Sequence, residues 1–111
     1  MTIIEDQQGG IPILSLAGRM DVNHAAAAES QLLAAIARGG DRFILDLAAL
    51  EYLSSAGLRA LLLVAKQVHA RQGKIALCAM KDYVREIIEI AGFDHYFVLH
   101  ETRAEAVADF R

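Results

Sequence analysis

Two adjacent hydroxyls, Ser54 and Ser55, stand between the short apolar run Phe43-Ile44-Leu45-Asp46-Leu47 and a longer one that begins at Ala56-Gly57-Leu58. A serine at the start of a helix accepts a hydrogen bond from one of the first free backbone N–H groups. Those N–H groups and the helix dipole also favour negative charge at the same place. A hydroxyl here can therefore cap the helix or carry a phosphate on it. A phosphate adds roughly −1.5 to −2 charges at neutral pH. In an interface built around a small exposed serine it would repel acidic neighbours, so modification could abolish binding while leaving the fold intact.

Other reactive groups are set in less suggestive surroundings. Asp46, near the end of its apolar run, has the position of a phospho-acceptor in a receiver-like domain. Such an acceptor needs a magnesium pocket with acids from an earlier strand end, and the preceding strand ends in Ala17-Gly18. The alternative is a supporting carboxylate that accepts hydrogen bonds from the loop before Ser54. Asp21 is either a solvated cap or part of a partner-facing loop. Cys78 lies within Ile75-Ala76-Leu77-Cys78-Ala79, the setting of an inert core thiol. His24, His69, His95 and His100 lack the spacing of metal ligands. Neither Gly9-Gly10 nor Gly39-Gly40 belongs to a phosphate-cradling loop with its lysine. No metal or cofactor is expected.

The chain has 111 residues, 55% of them hydrophobic and 23% charged, which suits one globular domain, residues 1–111. A formal net charge of −3 offers no basic footprint for nucleic acid. Charges interrupt every apolar run before it could span a bilayer, and Met1-Thr2-Ile3-Ile4-Glu5-Asp6 lacks the features of a signal peptide. The expected location is cytoplasmic.

The elements that must position these residues follow from periodicity and turn signals. Thr2 to Glu5 and Ile11 to Ala17 read as strands of a hairpin joined through Gln7-Gln8-Gly9-Gly10, with Gly18 to Asn23 as a polar connection. Asp21 or Asn23 can cap a helix over Ala25 to Arg38 that Gly39-Gly40 ends. Phe43 to Leu47 is an interior strand. The central helix starts at Ser54 to Ala56 and closes at Gln72-Gly73, with Leu58, Leu61, Leu62, Ala65 and Val68 at helical spacing. Ala60, Leu63, Val64 and Gln67 widen its apolar surface. Lys74 to Met80 is a strand, and Asp82 can cap a helix from Tyr83 to Ala91. Tyr96 to Leu99 is a short strand, and Thr102 with Glu105 forms a capping box for a last helix reaching Phe110. The order β-β-α-β-α-β-α-β-α predicts an α/β fold with a mixed sheet of about five strands and about four helices.

Gly18-Arg19-Met20-Asp21, the run ending in Asp46-Leu47, and Tyr52-Leu53-Ser54-Ser55-Ala56-Gly57-Leu58-Arg59 together resemble the STAS domain of bacterial anti-sigma-factor antagonists. The resemblance covers essentially the whole chain. It implies a switch protein whose unmodified form binds an anti-sigma factor that is also a serine kinase, freeing the sigma factor. The kinase phosphorylates a serine at the start of the central helix, and a serine phosphatase reverses this. The acceptor position falls on Ser55. The aspartate common before it is here Ser54, a second-choice acceptor, and the following hydroxyl residue is Ala56. The implied partner surface comprises Asp21, Ser54, Ser55, Gly57, Leu58 and Arg59, supported by Asp46. Two alternatives use related architecture: a STAS subunit of a lipid-transport or stress-signalling complex, and a receiver-like regulatory or ligand-binding domain, the latter including an enzyme. Oligomeric state is left open.

Overall fold

The computed structural model describes residues 1–111. β1 (Thr2–Gln8) and β2 (Ile11–Met20) pair antiparallel, with Gln8 opposite Ile11. Gly9 and Gly10 make the two-residue turn with φ of 60° and 80°, the left-handed values that glycine adopts without a Cβ penalty. Both strands run further than their side chains suggest, β1 to Gln8 and β2 to Met20. α1 (Ala25–Ala37) follows, then β3 (Arg42–Asp46), which lies inside the sheet between β2 and β5 (Lys74–Cys78) and is parallel to both.

The segment expected to be a loop before Ser54 contains a sixth strand, β4 (Leu50–Leu53). Beyond the end of β3, it pairs parallel with Gly18, Arg19 and Met20 of β2. This explains the length of β2: its last residues, polar in sequence, satisfy their backbone groups against β4. α2 (Ser55–Ala70) leads directly out of β4. The chain continues through α3 (Asp82–Ile90), a 3-10 turn at Phe93–His95, β6 (Val98–His100) and α4 (Arg103–Phe110). The sheet order is β1-β2-β3-β5-β6, with β4 continuing the line of β3 beside β2.

Two N-caps differ from expectation, whereas α2 closes at Gln72-Gly73 as expected. Neither Asp21 nor Asn23 holds the N-cap position of α1; His24 does, without a side-chain cap bond, while the Asp21 carboxylate accepts from the N–H groups of Asn23 and His24 at 3.0 and 3.1 Å just before the helix. Asp82 is inside the first turn of α3, and Lys81 occupies the capping position. At the end of α2 the left-handed residue is Gln72, with φ of 61°, whereas Gly73 is confined by a close approach of the Asp41 carbonyl. Thr102 does cap α4, accepting from the Glu105 N–H at 3.1 Å.

The main core lies on one face of the sheet. Leu14, Leu16, Phe43, Leu45, Ile75 and Leu77 meet Leu32 and Ile36 of α1, Leu61, Val64 and Val68 of α2, and Val84 and Ile88 of α3. On the opposite face α4 lays Ala106, Val107 and Phe110 over Ile11, Ile13, Ile44, Ala76 and Cys78. In α2, Ala60 and Val64 are buried, Leu58 and Leu62 are half-buried, and Leu63 and Gln67 face outward.

Candidate functional site

The two serines are separated by their hydrogen bonding. Ser54 has extended backbone (ψ 170°) and is the N-cap of α2. Its Oγ accepts from the Gly57 N–H at 3.0 Å and donates to the Met20 carbonyl at 2.9 Å. Its own N–H donates to the same carbonyl at 3.0 Å. These bonds tie the end of β2 to the start of α2. Ser55, one residue on, is exposed, and its hydroxyl makes no hydrogen bond within the protein.

Gly57 is buried because the backbone of Met20 passes it closely. A Cβ at this position would lie 2.9 Å from the Met20 carbonyl oxygen and 2.8 Å from Leu53 Cδ1. Asp21 follows Met20, so the joint brings the loop after β2 beside the start of α2. Its Oδ1 lies 2.7 Å from His24 Nδ1. The hydrogen bond from His24, with that ring's charge and the N–H groups of Asn23 and His24, holds the carboxyl below the usual carboxylate range. Arg59 is exposed one turn beyond Ser55, and Leu58 packs partly into the main core. Arg19, quoted within the Gly18-Arg19-Met20-Asp21 motif but given no role there, stacks over the Tyr52 ring at 4.4 Å. The signal for that pair was absent because it depends on β4 lying beside β2.

Asp46 is not on this surface: its side chain lies on the α4 face of the sheet, opposite the face that α2 covers. Its Oδ1 accepts from the Ala48 N–H at 2.9 Å, in the turn between β3 and β4. Its Oδ2 accepts from Arg103 Nε at 2.8 Å, and Arg103 also donates to Ser15 Oγ at 2.9 Å. The carboxylate is thus buried, doubly engaged and linked to α4. Cys78 is fully buried; burial first, then the Asp46 charge, pushes its thiol up to about 12, with Arg103 opposing. The histidines are dispersed: His24 is on Asp21, His69 on the Tyr96 carbonyl and His100 on Asp109. No three His, Cys, Asp or Glu side chains converge as a metal site. A cavity of about 270 Å³ beside His69, Lys74, Tyr96 and Phe97 lies at the other end of α2 from the serines.

Hairpin, mixed sheet and capped central helix define a small α/β domain that presents one free hydroxyl at a helix start. The STAS domain family model matches residues 2–106. A protein of Bordetella bronchiseptica, BtrV, provisionally named an anti-sigma factor antagonist, is 41% identical over 111 residues, covering 100% of this chain and 96% of the relative. The anti-sigma-F factor antagonist RsfB of Mycobacterium tuberculosis is 28% identical over 111 residues, covering 100% and 90%. The crystal structure of an anti-sigma factor antagonist from Mycobacterium paratuberculosis matches with a TM-score of 0.88 at 27% identity, covering 97% of this chain and 92% of that one. The chain belongs to the STAS domain family. No helix is long and apolar enough to cross a membrane.

Proposed function

We propose that this chain is a cytoplasmic anti-sigma factor antagonist, a regulatory binding protein rather than an enzyme. Its unphosphorylated form binds an anti-sigma factor that is also a serine kinase and so frees the sigma factor. Phosphorylation of Ser55 switches binding off, and a serine phosphatase restores it. The names of the relatives support the partner class. The observation that carries the switch is the division of labour at the helix start. Ser54 has its hydroxyl committed as both donor and acceptor, whereas Ser55 is exposed with its hydroxyl free. A phosphate on Ser55 breaks none of the Ser54 bonds and benefits from the first-turn N–H groups of α2.

The test is incubation with the cognate kinase and ATP, followed by mass mapping. Phosphate is expected on Ser55. Ser55→Ala is expected to bind the anti-sigma factor and resist switching, and Ser55→Asp to fold but bind poorly. Phosphate on Ser54 alone would refute the assignment, and absence of phosphate on both would refute the switch.

A further inference from the structure

α2 carries an unusual charge pattern for this chain. The protein is acidic, with 14 Asp and Glu against 11 Lys and Arg. α1 contains Glu29, α3 contains Asp82, Glu86 and Glu89, and α4 contains Glu105 and Asp109. α2 contains no carboxylate. Its two full cations, Arg59 and Lys66, are exposed, and neither is paired with a carboxylate. Helical spacing aligns Ser55, Arg59 and Lys66 on one outward face, with Leu63 at its side. Leu63 is 43% exposed, a large aliphatic group between the cations.

We infer that the partner docks along this whole stripe, from Ser55 past Arg59 and Leu63 to Lys66, and that its docking face is acidic around an apolar spot. The inference rests on the proposed function and extends the implied surface about two turns down α2, from Arg59 to Lys66. Charge complementarity selects the occupant: an acidic protein face is attracted by a carboxylate-free helix and repelled by the carboxylate-bearing surface around it. The stripe also gives the switch a mechanism. A phosphoserine at its head brings roughly −1.5 to −2 charges, which offset Arg59 one turn away and oppose the partner's carboxylates that meet the head of the stripe. Binding would then be lost through electrostatics at unchanged fold.

The experiment measures affinity for the anti-sigma factor identified by its phosphorylation of this chain, across a range of salt concentrations. Wild-type affinity is expected to fall as salt rises. Lys66→Glu and Arg59→Glu are each expected to weaken binding on the order of tenfold and to flatten the salt dependence. Leu63→Ser is expected to weaken binding without changing that slope. Lys74→Glu, an exposed reversal at the opposite end of the fold, serves as the control for net charge and is expected to bind as wild type. Circular dichroism establishes that each variant is folded. Wild-type affinity retained by both Lys66→Glu and Leu63→Ser would overturn the stripe while leaving the switch at Ser55 intact. Failure of the wild-type chain itself to bind any anti-sigma factor of its cell would instead overturn the functional reading beneath it. Phosphatidylglycerol vesicles are the second probe: sedimentation of wild type with them, lost in Lys66→Glu, would assign the stripe to an anionic lipid surface and overturn the protein partner.

Discussion

Ser54 and Ser55 are the same chemical group placed one residue apart, and their environments give them different roles. Ser54 has its hydroxyl hydrogen-bonded on both sides, to the Gly57 N–H and the Met20 carbonyl. Ser55 has an unbonded hydroxyl facing solvent. The bonds to Met20 depend on how closely α2 can approach β2, and Gly57 sets that approach. Alanine there gains about 1 kcal/mol of helix propensity. Its Cβ, however, would sit 2.9 Å from a backbone oxygen that already accepts two hydrogen bonds, and that oxygen cannot withdraw without breaking them. Overpacking of this kind costs about 1–3 kcal/mol, so the clash prevails. Gly57→Ala is therefore expected to shift the urea midpoint downward. A midpoint equal to or above wild type would show that the joint relaxes freely.

At the scale of elements, the decisive connection is Asp46. Its two oxygens join the turn into β4 with the first residue of α4, through the Ala48 N–H and the Arg103 guanidinium. The α4 edge of this joint is partly solvated, since the Arg103 side chain is 32% exposed, while Asp46 is nearly covered. Removing Arg103 strands a mostly buried carboxylate. Arg103→Ala is expected to destabilise the protein by about 1–3 kcal/mol, less than a fully buried pair because water reaches the arginine. A double-mutant cycle with Asp46→Asn checks this in chemical denaturation. Additive losses would mean that the two groups act independently. The same element explains why β4 escaped the sequence reading. Leu50-Glu51-Tyr52-Leu53 has apolar ends and an exposed middle, no alternation, and only four residues. It is a strand because β2 outruns β3 and needs a backbone partner. Lys81 Nζ and the Tyr83 hydroxyl reach the Ala48 and Glu51 carbonyls, adding side-chain bonds to that segment.

At the scale of the whole molecule, the sheet is covered unequally: α1, α2 and α3 pack on one face, and α4 alone closes the other over Cys78. The thiol is buried and held at about 12, so at neutral pH it is neither exposed nor ionised. Labelling by a thiol reagent is expected to be slow in native buffer and to follow opening of the fold, accelerating with urea. Immediate stoichiometric labelling without denaturant would show that α4 does not seal this face. Much of this architecture was legible beforehand. Local signals determined the hairpin at Gly9-Gly10, the interior strand at Phe43, the start of the central helix within Ser54 to Ala56 and the cap at Thr102. Each rests on backbone preferences or periodicity within a few neighbouring residues. Sequence also marked the pair of serines and the nearby Asp21, but not their distribution of work. Tertiary structure decided that Ser54 is bonded to Met20, that Asp46 pairs with Arg103 fifty-seven positions away, and that Arg19 stacks on Tyr52. Those contacts join groups distant along the chain, and no local preference encodes which partner packing will bring within reach.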